Sequence, residues 1–117
     1  MTEHDDRASL RHMLDHAEEA IARVRGRTRE DLAADRTLYL TVIALMEIIG
    51  EAARRVSEET RRAHPEIRWR DVVGLRSRLV HAYDRVDLDI VWDAVMIHLP
   101  TLASQVRRAL ARMRDDR

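Results

Sequence analysis

Apolar residues recur along this chain at the spacing of an α-helix. The first stretch steps by four and three residues in turn, and Gly26 follows it as a plausible end. Its apolar positions are Leu10, Leu14, Ala17, Ile21 and Val24. Residues 26–35 are polar and indicate a connector with a short helical turn around Leu32. One helix with a single apolar stripe is therefore predicted before the connector.

A second, longer helix is predicted over residues 35–63, with Pro65 closing it. Its stripe consists of Leu38, Val42, Leu45, Ile49, Ala52 and Val56, widened by Tyr39, Ile43 and Met46. A stripe of this width indicates burial on two sides, which favours a two-fold homodimer. Gly50 costs about 1 kcal/mol against alanine in the middle of a helix, so close approach by another helix is expected there.

Two further helices complete the pattern. The third is predicted over residues 70–82, after a short link over 64–69 in which Trp69 serves as an anchor. The fourth starts near Asp87, a suitable N-cap, and Pro100 should kink it or divide it. The predicted fold is an all-α, antiparallel four-helix bundle, with five helices if Pro100 breaks the last one, in a single domain over residues 1–117.

Composition narrows the class of protein. The 117 residues are 45% hydrophobic and 36% charged, which is typical of a folded helical domain. No apolar run approaches the ~18 residues of a membrane span. Cysteine is absent, which excludes disulfides, thiolate metal sites and a cysteine nucleophile. The first six residues are acidic and unlike a signal peptide, so a cytoplasmic location is expected.

Charge is balanced overall but uneven along the chain. The formal net charge is zero, so no strong general attraction to nucleic acid is indicated. Residues 68–85 nevertheless carry five arginines against Asp71 and Asp84, a local excess of three positive charges. Contact with RNA is expected in this segment.

The same segment holds three side chains suited to phosphodiester chemistry. Arg76 is a permanent cation whose fork fits a phosphate. His81 titrates near neutral pH and can transfer a proton, and Tyr83 offers a phenolic hydroxyl. Together they form an Arg-x4-His-x-Tyr motif. Taken alone this motif is weak, because short patterns of this kind arise often by chance.

The spacing of the motif leaves two geometries open. Five residues on an α-helix place Arg76 and His81 about 140° apart around the axis, so one straight helix does not aim both at one atom. Either the helix ends near Val80 and His81 turns back, or a two-fold axis brings residues of two copies into one cleft. A two-fold cleft would also supply two histidines, one as base and one as acid.

Beyond the motif, an ordered set of segments matches one family pattern. The segments are residues 47–53, 65–69, 74–76, 81–83, 86–87, 90–92 and 98–100. Across roughly residues 38–102 the chain resembles the HepT-like HEPN ribonuclease toxins, which are encoded beside a nucleotidyltransferase antitoxin, MntA. The resemblance implies a helical homodimer that cleaves RNA at a dimer cleft without metal or other cofactor. It implies Arg76 and His81 as catalytic residues and Tyr83 as the acceptor of AMP from the antitoxin.

One position departs from the family pattern. Members usually carry a polar residue, commonly Asn, directly after the arginine, whereas this chain has Ser77. Serine keeps a hydroxyl and is retained here as an assisting catalytic residue, but it lacks the donor and acceptor pair of an amide. The alternative function is therefore a non-catalytic helical binding module that partners a nucleotidyltransferase.

Other constellations are weaker. Ser77, His81 and Asp84 lack the oxyanion-hole motif that a nucleophilic triad requires. His12 and His16 are one turn apart, but a solvated helix face is favoured over a metal site. Salt bridges from Glu47 and Glu51 to Arg54 or Arg55 are favoured over metal binding, with contact to Arg76 as a further hypothesis. His4, His64 and His98 are assigned to the surface or to packing.

Overall fold

A computed structural model describes residues 3–75, 77 and 88–115 of the chain, and the regular elements of that part are helices. In chain order they are α1 (Glu3–Val24), α2 (Arg29–Ala34), α3 (Arg36–Arg54), α4 (Glu58–Ala63), α5 (Trp69–Val73), α6 (Leu88–Asp93), a π-helical segment (Ala94–His98) and α7 (Leu99–Asp115). The all-α prediction is confirmed. None of these helices is both long and apolar enough to cross a membrane.

Helix α1 packs against both α3 and α7 along most of its length. The stripe predicted for α1 is buried, since Leu10 and Ala17 are fully covered and Leu14 and Val24 are 3% exposed. Burying each large aliphatic side chain contributes roughly 1.5–3 kcal/mol, so the α1 seam is a principal source of stability. Helix α2 follows as the short helical turn expected around Leu32, which is buried.

The prediction of one helix over residues 35–63 is wrong in its middle. Helix α3 ends at Arg54, and α4 begins at Glu58 with Ser57 as its N-cap, which accepts a hydrogen bond from the Thr60 amide. The break is stabilised by Asp6 of α1, which is 1% exposed. Its carboxylate accepts hydrogen bonds from the Ser57 amide (2.9 Å), the Ser57 hydroxyl (2.5 Å) and the Thr60 hydroxyl (2.5 Å).

These bonds decide the charge state of Asp6. Burial alone would raise the pKa of the carboxyl, because it removes the charged form from water. The bonds from the Ser57 and Thr60 hydroxyls and the Ser57 amide favour the carboxylate, and together they hold the pKa of Asp6 below its ordinary value. Asp6 is therefore an ionised tie between α1 and the α3–α4 corner.

Arg61 closes the same corner from the other side. Its Nη2 donates to the carbonyl oxygens of Ala53 and Arg54 at 3.1 and 3.2 Å, and its Nε donates to that of Val56 at 3.1 Å. These contacts add a donor to carbonyls in and just after the last turn of α3, where the helix runs out of its own amides. The guanidinium carbon lies 5.8 Å from the ring centre of Trp69, within cation–π range.

Trp69 is the anchor that the sequence predicts. Its ring is 9% exposed, and its Nε1 donates to the backbone oxygen of His64 at 3.1 Å. The third predicted helix begins one residue early, at Trp69, and α5 ends at Val73 with Gly74 in a turn. Leu75 and Ser77 are again helical, and the remainder of the predicted third helix lies outside the described residues.

Pro100 does not divide the last helix, so this one of the two outcomes predicted for it, a kink or a division, is wrong. The chain is helical from Leu88 to Asp115, and the five residues of the π-helical segment stand just before the proline. There the Leu99 amide donates to the carbonyl of Ala94, five residues back. The wider turn accommodates a residue that has no amide hydrogen and whose ring would crowd the preceding turn of an α-helix.

Candidate active-site cleft

The structure describes one of the four predicted site residues. Ser77 is helical and exposed, while Arg76, His81 and Tyr83 lie outside the described residues. The entry to the motif is nevertheless defined, because Leu75, the residue before Arg76, is half-buried and packs against the core.

Helices α3 and α5 cross closely just before the motif. A Cβ atom built on Gly50 would lie 3.1 Å from the carbonyl oxygen of Val72 and 3.7 Å from the Cβ of Leu75. The close approach that the sequence predicts at Gly50 is confirmed. This backbone contact fixes the position of α5 relative to α3, directly before the motif.

A cleft of about 670 Å³ opens beside this entry. It lies between α5, α6, the π-helical segment and the start of α7, with one residue of α3 at its base. Its apolar lining consists of Met46, Val72, Leu75, Ile90, Ala94, Leu99 and Leu102. Its volume falls within the range of about 300–1,000 Å³ that is usual for small-molecule sites.

Several polar side chains of the cleft already have partners. The Arg68 Nε lies 2.9 Å from a carboxylate oxygen of Asp71, so this pair is internally neutral. The Thr101 hydroxyl donates to the carbonyl of Ile97 at 3.2 Å. The Gln105 amide nitrogen donates to the Glu66 carbonyl at 2.8 Å, which fixes the orientation of the Gln105 side chain.

Two further polar groups of the cleft, Asp93 and His98, form no side-chain hydrogen bond or ion pair within the described part of the chain. The Gln105 Oε1 is likewise an acceptor without a described donor. The cleft thus combines an apolar floor with a rim rich in hydrogen-bond acceptors. Such a surface suits a flat ligand that carries donors on its edge.

Sequence reasoning missed Asp93 and Gln105 and assigned His98 to the surface or to packing. His98 is indeed exposed, but it lines the cleft. Asp93 lies before the π-helical segment and Gln105 lies after it. Both line the same cleft because the wider turn between them changes the direction in which later side chains point. A periodicity of 3.6 residues cannot reveal that shift in register.

The structure also bears on the weaker candidate sites that the sequence offers. Among the described residues, no group of three or more possible metal ligands comes together. The rings of His12 and His16 are 4.2 Å apart, and His16 Nδ1 lies 2.7 Å from the His12 carbonyl oxygen. Glu51 lies 3.5 Å from Arg54, as predicted. Of the Ser77 triad, His81 and Asp84 lie outside the described residues.

Two named proteins are similar to this chain over most of their length. One is "Putative RNase TTE0752" of Caldanaerobacter subterraneus subsp. tengcongensis (strain DSM 15242 / JCM 11007 / NBRC 100824 / MB4), which is 35% identical over 104 residues, 89% of this chain and 93% of that protein. The other is "Probable ribonuclease HepT" of Thermococcus cleftensis (strain DSM 27260 / KACC 17922 / CL1), which is 35% identical over 99 residues, 81% of this chain and 90% of that protein.

No solved structure matches the chain. The family described as "Ribonuclease HepT-like" matches residues 13–109, which include the second half of α1, the close crossing at Gly50, the cleft and the whole Arg-x4-His-x-Tyr motif. Both the extent of this match and the two relatives agree with the resemblance seen in the sequence. The chain belongs to the HepT-like ribonuclease family.

Proposed function

We propose that this protein is the toxin of a HepT/MntA-type toxin–antitoxin system and acts as a metal-independent endoribonuclease. The observation that carries the proposal is that a chain of a ribonuclease family has its candidate motif directly beside a cleft. The chain belongs to a ribonuclease family, and its Arg-x4-His-x-Tyr motif begins directly after Leu75, which lines the cleft. We place the activity in the cytoplasm, where the RNA substrate is available.

In the proposed reaction, His81 removes the proton of the ribose 2′-hydroxyl or donates one to the leaving 5′-oxygen. Arg76 steadies the charge that builds on the phosphoryl oxygens. Ser77, which is helical and exposed, assists with its hydroxyl. The 2′-oxygen attacks phosphorus as the 5′-oxygen leaves, so the product is a 2′,3′-cyclic phosphate and a free 5′-hydroxyl.

We further propose that the active form is a homodimer. Helix α3 exposes an apolar edge in the single chain, with Leu40 at 44% and Ile48 at 36% exposure and Ala44 between them. Large exposed aliphatic side chains in a row support an interface, since water contacts them at a cost. Two copies would also bring two His81 residues to one cleft, one for each proton transfer.

The proposed partner is an MntA-like nucleotidyltransferase antitoxin that adds AMP to Tyr83. An adenylate two residues from His81 would add negative charge and bulk, and it would pair with the arginine fork that the RNA phosphate needs. Incubation with the antitoxin and ATP, followed by intact-mass spectrometry, tests this step. An unchanged mass, or an AMP adduct that survives Tyr83→Phe, would refute the assignment of the residue.

Growth separates the toxin from the alternative, a non-catalytic binding module. Strong expression without antitoxin should arrest cells, and Arg76→Ala should relieve the arrest. Arg108→Ala on the exposed face of α7 serves as the matched control and should remain toxic. Absence of arrest by the natural chain would favour the binding module, for which the exposed Ser77 in place of the usual amide is the supporting observation.

A further inference from the structure

We propose that the 670 Å³ cleft is a nucleobase pocket that selects an amino-bearing base next to the scissile phosphate. Adenine, cytosine and guanine carry an exocyclic amino group, and uracil does not. Asp93 and Gln105 are the side chains that read the base. This inference rests on the proposed function for its place in the reaction, but the pocket itself is testable without cleavage.

The charges of the described lining residues disfavour a phosphate as the occupant of the cleft. Arg68 is neutralised by Asp71 at 2.9 Å, and Asp93 then leaves one net negative charge when His98 is neutral. A phosphate would meet repulsion from the Asp93 carboxylate, and Arg68, the one guanidinium among the described lining residues, is already paired with Asp71. In the proposed function the phosphate is bound by Arg76, which leaves the cleft for an uncharged group.

Shape favours a flat, largely apolar group. Met46, Leu99 and Leu102 provide apolar surface at the floor, and Leu75 extends it towards the motif. A nucleobase has two apolar faces and a polar edge, which matches an apolar floor with a polar rim. Because Leu75 immediately precedes Arg76, a base in the cleft would belong to a nucleotide at or beside the cleaved bond.

The polar groups at the rim of the cleft determine which edge of a base can form hydrogen bonds there. The Asp93 carboxylate has acceptor oxygens only, and acidic side chains accept from the exocyclic amino groups of bases. The Gln105 amide nitrogen donates to the Glu66 carbonyl at 2.8 Å, so the Gln105 Oε1 is the atom that can accept a hydrogen bond from a ligand. Two acceptors match the N–H groups of an amino-bearing base, whereas they face the carbonyl oxygens of uracil unfavourably.

The first test is base selectivity in binding. The full chain, isotopically labelled, is titrated with cytidine, adenosine and uridine, which carry no phosphate, and NMR shifts are followed at Leu75 and Leu102. Cytidine or adenosine should bind about tenfold more tightly than uridine, the discrimination that one good hydrogen-bonded pair provides. Asp93→Asn replaces an acceptor oxygen by a donor and should reduce that ratio to near one. Asp15→Asn on the exposed face of α1 is the matched control and should leave the ratio unchanged.

The second test is the base preference of cleavage. Ends of cleaved RNA are mapped for the natural chain, Asp93→Asn and Asp15→Asn. An amino-bearing base should be favoured at one position beside the cut, and Asp93→Asn alone should admit uracil there. Unchanged preference and unchanged nucleoside binding in Asp93→Asn would overturn the pocket while leaving the ribonuclease proposal intact.

Two other outcomes are also decisive. If the natural chain cleaves no RNA but still binds cytidine over uridine, the pocket stands and the proposed function fails. If nucleosides shift no resonance and Asp93→Arg instead changes a dimer into a monomer, the cleft is an interface between copies and the pocket is refuted.

Discussion

Gly50 faces the backbone of Val72 so closely that a Cβ on Gly50 would lie 3.1 Å from the Val72 carbonyl oxygen. That contact joins α3 to the short helix α5, which precedes the Arg-x4-His-x-Tyr motif. The backbone of α5 cannot retreat freely, since Trp69 at its start is anchored to the His64 carbonyl. The crossing therefore links the packing of the core to the position of the residues after Leu75.

Gly50→Val should consequently destabilise the protein by about 1–3 kcal/mol, the usual cost of forcing extra methyl groups into a packed site. Ala111→Val on the exposed face of α7 is the matched control and should change stability by about 0.5 kcal/mol or less. Urea denaturation of both variants measures the difference. Equal stability of the two variants would contradict the close crossing.

Asp6 should make stability depend on pH. Its pKa is lowered in the folded state, so the stabilisation is present above the ordinary value of about 3.9 and is lost as pH falls through the folded pKa. Asp6→Asn should therefore be most destabilising at neutral pH. The difference in free energy of unfolding between the variant and the natural chain, called the gap below, should narrow below about pH 4. Denaturation of both proteins between pH 7 and pH 2.5, about the span of an aspartate titration, measures this gap. A gap that stays constant over this range would show that the carboxylate charge is irrelevant.

Arg61 should be more important than its neighbour Arg62. Arg61 serves three carbonyl oxygens at the end of α3 and lies over Trp69, whereas Arg62 pairs only with the exposed Glu58 at 2.9 Å. We expect Arg61→Lys to cost about 1–3 kcal/mol, because lysine cannot reproduce the fork. Arg62→Lys should cost about 0.5 kcal/mol or less, since exposed ion pairs contribute little. Thermal unfolding compares them, and an equal loss in both would refute the capping role.

The apolar edge of α3 should carry the dimer. Leu40→Glu combined with Ile48→Glu should give a folded monomer, because the two changes put charge into an interface without touching the core. Met96→Glu tests a different exposed apolar residue, 46% accessible, and should leave the dimer intact. Light scattering at micromolar concentration decides. A natural chain that is already monomeric would remove the dimer proposal.

Local patterns predicted much of the bundle correctly. The buried stripe of α1, the turn at Leu32, the anchor at Trp69 and the close approach at Gly50 all follow from spacing, residue size or the known cost of glycine in a helix. The signal for each of these features lies in a short stretch of the chain, although the contact at Gly50 is itself made with Val72 of another helix. That locality is why a single sequence was enough to find them.

Features that depend on distant residues were beyond such reasoning. The break after α3 relies on Asp6, which is 51 residues from Ser57, and nothing in residues 54–58 alone requires it. The facing of Asp93 and Gln105 relies on the π-helical segment, which shifts the register ahead of Pro100. Arg76, His81 and Tyr83 were identified through family resemblance, and their assignment stays a prediction.

Cleavage of labelled RNA by the purified protein in EDTA distinguishes a metal-independent ribonuclease from a binding module. The natural chain and the control Arg108→Ala should both produce fragments that end in 2′,3′-cyclic phosphates. Arg76→Ala and His81→Ala should each be slower by about 100-fold or more, since each removes a group that acts on the transition state. Equal cleavage by the natural chain and both motif variants would point to a contaminating nuclease and contradict the account.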